Sequence, residues 1–131
     1  MSSDEIQSLE HACKKILVLP KIRFIGVLNK MGKKIAGRFK EGVTSLLPDI
    51  ENQRMYVQLT LEYMMRKDFD DQLGSIDYIV SRRTNVTMIS IPTKEYLVLI
   101  SAQRDANAQD IIREVNSAFT DLPDIKPRVE W

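Results

Sequence analysis

The sequence predicts an α+β domain built from a five-stranded antiparallel sheet and three helices. Three observations indicate this fold class. Apolar residues recur at helical spacing in three segments and at strand spacing in five others. Strands that follow one another directly are joined by only a few residues, which requires antiparallel pairing. The element order is therefore helix, two strands, long helix, three strands and helix.

The first predicted helix has Ser3 as its N-cap and acidic residues in its first turn. Apolar side chains then recur every three or four residues from Ile6 to Leu17, which is typical of an amphipathic helix. The helix must end before Pro20, because the proline ring and its missing N–H exclude a continuing helix.

A β-hairpin follows, with strands at Arg23–Asn29 and Lys33–Phe39 and a short turn that ends at Gly32. The first strand carries apolar residues on both faces, which predicts a central position in the sheet. The second strand alternates apolar and basic residues, which predicts an edge. Gly26 and Gly37 interrupt these strands, and we expect a helix to lie close over the sheet there.

The long helix is predicted from Ile50 to about Leu73, with Asp49 as its cap. Its apolar residues form one stripe of Ile50, Val57, Leu61 and Met64, and a second stripe of Met55, Leu59 and Tyr63, widened by Tyr56 and Met65. A helix that covers only its own sheet needs a single stripe. The additional apolar width predicts contact with a partner subunit.

The helix is predicted to end at Gly74 as a C′ residue. The three strands that follow are Ile76–Arg82, Val86–Ile91 and Tyr96–Ala102. The last of them is apolar on both faces, so it is predicted to be central. Asp105 or Asn107 caps the final helix, which ends before Pro123, and residues 123–131 are expected to be an extended tail.

The composition indicates one domain over residues 1–131, long enough to bury a core. The single cysteine excludes an internal disulfide bond, and no apolar run reaches the roughly 18 residues of a membrane helix. The acidic, polar N-terminus does not resemble a signal peptide. These features predict a cytoplasmic location.

Charge is distributed unevenly along the chain. Residues 1–40 contain nine Lys and Arg against three Asp and Glu, a net charge of +6, whereas residues 41–131 carry −5. The basic side chains of the hairpin form a candidate partner-binding patch, which comprises Lys30, Lys33, Lys34, Arg38 and Lys40. The alternative interpretation is that these cations protect a sheet edge from aggregation.

No motif in the sequence supports catalysis. His11 and Cys13 lie about 200° apart on the first helix, so they form neither a nucleophile pair nor part of a zinc site. The acidic cluster of Asp68, Asp70 and Asp71 does not match a calcium loop. The Gly-Lys-Lys of the hairpin turn lacks the other residues of a phosphate loop. We expect no enzymatic activity and no cofactor or metal.

Two segments carry a family resemblance: the hairpin beginning Phe24-Ile-Gly-Val-Leu-Asn, and the strand Tyr96-Leu-Val-Leu-Ile-Ser with the Ile-rich helix after it. Together with the long broad helix, they resemble the roadblock family of dynein-light-chain-like regulators, which is related to profilin and longin folds. The resemblance covers roughly residues 3–122. The segments that begin at Lys21 and Arg66 are most similar to an archaeal set of this family that has no assigned function.

The resemblance implies a sheet order of 2-1-5-4-3, with one helix on one face and two on the other. That order places the two strands with apolar faces on both sides at the centre. It also implies homodimerisation through residues 50–73 and 76–82. The candidate interface residues are Met55, Tyr56, Leu59, Tyr63, Ile76, Tyr78 and Val80.

The function that follows from the resemblance is a non-catalytic, homodimeric regulator or scaffold that binds another protein, with a small GTPase as the partner class of the family. Two alternatives stay open. A profilin-like domain that senses a small molecule requires an apolar pocket between the sheet and the long helix. Nucleic-acid binding by the basic hairpin is less favoured, because exposed aromatic residues that stack on bases are missing there, apart from Phe39.

Overall fold

The computed structural model describes residues 3–120 and residue 122, so the predicted tail at 123–131 lies outside the described residues. The elements are α1 (Ser3–Leu17), β1 (Ile22–Leu28), β2 (Lys34–Phe39), α2 (Asp49–Arg66), α3 (Asp70–Leu73), β3 (Ile79–Arg82), β4 (Thr87–Pro92), β5 (Leu97–Ala102) and α4 (Ala108–Thr120). The strands form one antiparallel sheet in the order β2-β1-β5-β4-β3. The predicted fold class and strand order are confirmed.

The sheet separates two apolar layers. Helices α1 and α4 pack on one face, around side chains such as Ile16, Ile25, Ile100 and Phe119. Helix α2 alone covers the other face, where the ring of Tyr56 stacks on Phe24 of β1 with centroids 5.9 Å apart. The distribution of two helices on one face and one on the other therefore agrees with the prediction.

The central strands β1 and β5 owe their position to apolar residues on both faces. All six residues of β5 are buried, and β1 is buried at six of its seven positions. Cross-strand neighbours such as Ile25 with Ile100 and Val27 with Val98 fill the layer beneath α1 and α4. A polar residue at these positions would bury an unpaired group, so this pattern specifies the register.

Two helix starts differ from the predictions. Helix α1 already includes Ser3, so Ser3 is not its cap. Helix α2 begins at Asp49 after Pro48, which occupies the N-cap position without a side-chain hydrogen bond. At the final helix the prediction of Asn107 is confirmed, because its Oδ1 accepts the N–H of Asp110 at 3.0 Å. Asp105 instead pairs with the ammonium of Lys21, which lowers the pKa of Asp105.

The long helix is shorter than predicted. It ends at Arg66, and a single 3-10 turn over Lys67–Phe69 connects it to the four-residue α3. Three aspartates within residues 68–71 explain the break, because aspartate has low helix propensity and opposes the dipole of a helix C-terminus. Gly74, with a φ of +85°, ends α3 and not the long helix itself.

Strand β3 begins at Ile79, three residues later than predicted. Ile79 pairs with Ser90, so the next hydrogen-bonded position would place Asp77 opposite Pro92. Pro92 has no N–H to donate, so one of the two hydrogen bonds of that pair cannot form, which weakens the ladder where it ends.

The atoms nearest to a Cβ built on either strand glycine belong to the sheet and not to a helix, although the N–H of Gly37 also reaches Glu10 of α1. The space beside Gly26 is filled by the ring of Phe24, and the space beside Gly37 is filled by the backbone of Ile25. It is Gly32 in the hairpin turn that closely approaches a helix, at Val57 of α2. Within the described residues, no helix combines the length and the apolar character needed to cross a bilayer.

Candidate functional site

The inner face of α2 packs against the protomer's own sheet. Tyr56 and Tyr63 are only 5% and 2% exposed, and Met55 and Leu59 are half-buried in the same cluster. These four residues were expected at a dimer interface. In the protomer they pack against the sheet instead, which leaves them little surface for a partner.

The flank of α2 that faces β3 forms an open apolar groove with a volume of about 960 Å³. We call it the β3 groove and define it by its large apolar side chains: Leu61, Met65, Phe69, Leu73, Ile76 and Val80. Most are exposed, with Met65 at 69%. Monomeric proteins rarely expose apolar side chains so close together, so this groove is a candidate interaction site.

The β3 groove lies beside an open sheet edge. Strand β3 is the last strand of the sheet and pairs only with β4. The N–H of Arg83 donates to the carbonyl of Val86, and antiparallel alternation then directs the N–H and C=O groups of Val80 and Arg82 away from β4. The edge therefore presents backbone groups that a further strand can pair with.

The opposite edge, at β2, is closed by side chains. The N–H of Gly37 donates to the carboxylate of Glu10 in α1 at 2.6 Å, and its carbonyl accepts the ammonium of Lys34 at 2.9 Å. The guanidinium of Arg38 also pairs with Glu10, at 3.4 Å. The central position of this edge is thus unavailable to another strand, which leaves β3 as the accessible one.

These contacts divide the predicted basic patch. Lys34 donates to the backbone of the β2 edge and Arg38 pairs with Glu10 beside it. The ammonium of Lys40 donates to the carbonyl of Leu19 at 2.7 Å. Lys30 and Lys33 have exposed side chains that extend from the hairpin turn. Among the five cations, only these two are directed wholly to solvent within the described structure.

A second groove, of about 870 Å³, lies between α2 and the sheet. Its floor includes Met88, Ser90 and Ser101, and the guanidinium groups of Arg23 and Arg83 border it. The sequence predicted a pocket between the sheet and the long helix for a domain that senses a small molecule. A groove of this kind is present.

The buried titratable groups favour their neutral forms. Burial raises the pKa of the Cys13 thiol to about 12 and that of the Tyr63 hydroxyl to about 12. His11 is exposed on the same helix that buries Cys13, as predicted. The described residues contain no group of three or more His, Cys, Asp or Glu side chains that could hold a metal ion.

The seven predicted interface residues divide between the inner face of α2 and the β3 groove. Leu61, Met65, Phe69 and Leu73 were not among the predicted interface residues, although they form most of the β3 groove. One signal for them was present, because Leu61 and Met65 broadened the apolar surface of the helix beyond what one sheet requires.

Comparison with solved structures shows which known fold this is. The Roadblock/LC7 domain from Streptomyces avermitilis matches with a TM-score of 0.67 at 11% identity, covering 83% of this chain and 89% of that one. The gliding protein MglB from Thermus thermophilus matches with a TM-score of 0.75 at 10% identity, covering 90% and 87%. MglB in a tetrameric arrangement matches with a TM-score of 0.76 at 9% identity, with the same coverage.

These similarities establish the roadblock fold. A search of curated proteins finds no match. The model of a family of unknown function, DUF6659, matches residues 1–120. The chain therefore belongs to the DUF6659 family and has the roadblock fold.

Proposed function

We propose that this protein is a homodimeric, non-catalytic regulatory or scaffold module that binds another protein. The observation that carries the proposal is the β3 groove beside the unpaired edge of β3. A second copy of the chain presents the same apolar groove and the same open strand edge, so groove can pack on groove and edge can pair with edge. The archaeal relationship and the cytoplasmic location that the sequence predicts stay predictions.

Twofold symmetry gives the proposed dimer its geometry. Two β3 strands related by a twofold axis run antiparallel, so their outward backbone groups can pair and join two five-stranded sheets. The same axis brings the β3 grooves together, and Leu61 and Met65 of each copy then pack against the other. Ile76 and Val80, which were predicted as interface residues, contact the partner in this proposed dimer. Tyr56 and Tyr63 instead pack between α2 and its own sheet.

Two further arguments support the proposal. MglB, which shares the fold, has been solved in a tetrameric arrangement, so this fold is compatible with self-association. The resemblance to the roadblock family implies a protein partner, with a small GTPase as the expected class.

Sedimentation velocity tests the dimer directly. We expect a species of twice the 15.1 kDa chain mass at micromolar concentration, dissociating on dilution. High salt should not dissociate it, because the β3 groove is mainly apolar. A monomer throughout the micromolar range would contradict the proposal. Affinity recovery from the native cell followed by mass spectrometry then tests for a protein partner.

The second groove favours one other candidate function, binding of a small apolar anion. Met88 and Leu47 provide apolar contacts there, and Arg23 and Arg83 provide positive charge. Anilinonaphthalenesulfonate is a suitable probe, since it is both aromatic and anionic. We expect its fluorescence to rise with the native protein and its affinity to fall about tenfold in Arg83→Glu.

Arg113→Glu is the matched control for the probe experiment, because Arg113 is exposed on α4, on the other face of the sheet. Equal losses in the two variants would indicate general charge attraction and remove this candidate. Binding seen only in a monomeric variant would mean that the dimer covers the groove.

A further inference from the structure

Helix α2 exposes a second apolar surface that the proposed dimer does not use. Ile50, Val57 and Met64 are separated by seven residues each, so they lie along one flank of the helix. All three are exposed, and none of them lines the β3 groove or the second groove. Met64 and Met65 point about 100° apart, which assigns these adjacent methionines to different flanks.

The hairpin turn packs directly against this flank. A Cβ added to Gly32 would lie 2.8 Å from the Cα of Val57, which shows how closely the turn approaches the helix. The carboxamide oxygen of Asn29 accepts the N–H groups of Met31 and Lys33 at 2.9 and 3.1 Å. The turn is therefore held in one conformation, with the Met31 side chain 83% exposed beside the helix.

The charge beside the middle of this surface, where the turn meets Val57, is positive. Lys30 and Lys33 extend from the turn, and their side chains are exposed. The carboxylates of α2 nearest in sequence, Glu51 and Glu62, lie about 120° and 140° around the helix from Val57. Glu51 also pairs with Arg54 at 3.4 Å. We call this surface the turn-side patch: Met31, Ile50, Val57 and Met64, with Lys30 and Lys33 at its border.

We propose that the turn-side patch binds an acidic amphipathic helix of a partner protein. The apolar stripe from Ile50 to Met64 is about 21 Å long, which matches four turns of helix laid alongside it. Apolar side chains of the partner contact Val57, Met31 and Met64, and the flexible thioethers of the two methionines adapt to different surfaces. Carboxylates of the partner then face Lys30 and Lys33.

This inference rests on the proposed function, because it assigns the partner site of the same protein-binding module. Its position makes it separable from the dimer. Leu61 of the β3 groove lies about 40° around α2 from Val57, so the two surfaces adjoin, but Met64 and the hairpin turn lie on the side of Val57 away from Leu61 and Met65. A dimer built on the β3 groove therefore leaves the turn side of the patch accessible on both copies.

The test uses two fluorescein-labelled helical peptides of about 15 residues, the length of the stripe. Both have leucine on one face, and one has glutamate and the other lysine at every remaining position. We expect the glutamate peptide to bind the wild-type protein at least tenfold more tightly than the lysine peptide, and to bind more weakly as salt increases.

Variants locate the binding site. Met64→Glu and the double variant Lys30→Glu/Lys33→Glu should each weaken binding of the glutamate peptide about tenfold or more while the protein remains a dimer. Met65→Glu should bind the peptide as the wild type does, although it is expected to be monomeric. Lys14→Glu/Lys15→Glu is the charge-matched control, because both lysines are exposed on α1, on the other face of the sheet.

Several results would overturn the inference. Equal loss of binding in the α1 control, or equal affinity for both peptides, would remove the specificity that it requires. A single-stranded RNA is added as a competitor of the peptide. If the RNA displaces the peptide and still binds Met64→Glu as well as it binds the wild type, then Lys30 and Lys33 bind nucleic acid and not an acidic helix. A monomeric wild type that still binds the peptide at the patch would reject the dimer and keep this inference.

Discussion

Met65→Glu is expected to convert the proposed dimer into a monomer. Met65 is 69% exposed in the isolated protomer, so a glutamate there does not disturb the core. In the proposed dimer the side chain at position 65 is buried against the partner's apolar groove, and twofold symmetry introduces two such carboxylates. Burying unpaired charges costs about 4 kcal/mol or more in total, which raises the dimer dissociation constant by roughly a thousandfold.

Met64→Glu is the matched control for this experiment. The two variants differ by one position in the same helix and have the same change in charge and the same helix propensity. Met64 is 45% exposed but faces the turn-side patch. Sedimentation velocity should therefore find Met64→Glu dimeric at concentrations at which Met65→Glu is monomeric. If both variants dissociate, or neither does, the interface does not lie in the β3 groove.

The sheet was predictable from the sequence because its signals are local. The hairpin contains its own turn residues, and the central strands carry apolar side chains on both faces, which only a strand covered on both sides requires. The edge position of β2 was predictable for the same reason. The protection of that edge was only partly predictable. Its lysines are visible in the sequence of the strand, but the carboxylate of Glu10, which accepts the N–H of Gly37, comes from helix α1.

The faces of α2 could not be assigned from the sequence. The helix has two apolar stripes, and the pattern does not indicate which one meets the sheet. The inner face also includes Asn52 and Thr60, whose polar side chains are paired: Asn52 donates to the hydroxyl of Ser45 at 2.9 Å, and Thr60 donates to the carbonyl of Tyr56 at 2.9 Å. These polar residues made the true inner face less apolar than the exposed flank.

Gly37→Ala is expected to be the most destabilising single-methyl change in the sheet. Gly37 has a φ of +101°, which alanine adopts only with strain. A Cβ at this position would also lie 2.1 Å from the carbonyl oxygen of Ile25. That oxygen belongs to the backbone of the central strand and cannot move away as a side chain could. We expect a loss of about 3 kcal/mol or more in the free energy of unfolding.

Gly42→Ala isolates the part of this loss that comes from the contact with β1. Gly42 has a φ of +82°, but no atom lies within 4 Å of an added Cβ. Only backbone strain applies there, so we expect a loss of about 1 kcal/mol. Urea unfolding at one protein concentration compares the variants, because the apparent stability of a protein that dimerises, as we propose for this one, depends on concentration. Equal losses in both variants would show that β2 can move away from β1.

Gly37→Ala should also open the protected sheet edge at β2. In the native protein the N–H and carbonyl of Gly37 are held by Glu10 and Lys34, and both contacts require β2 to stay paired with β1. If the alanine side chain forces the strands apart, these backbone groups lose their partners and the molecule has accessible strand edges at both ends of its sheet. Open edges at both ends permit continued addition of subunits, whereas one open edge stops at a dimer. We therefore expect Gly37→Ala to form concentration-dependent aggregates, detectable by light scattering, and Gly42→Ala to remain a dimer.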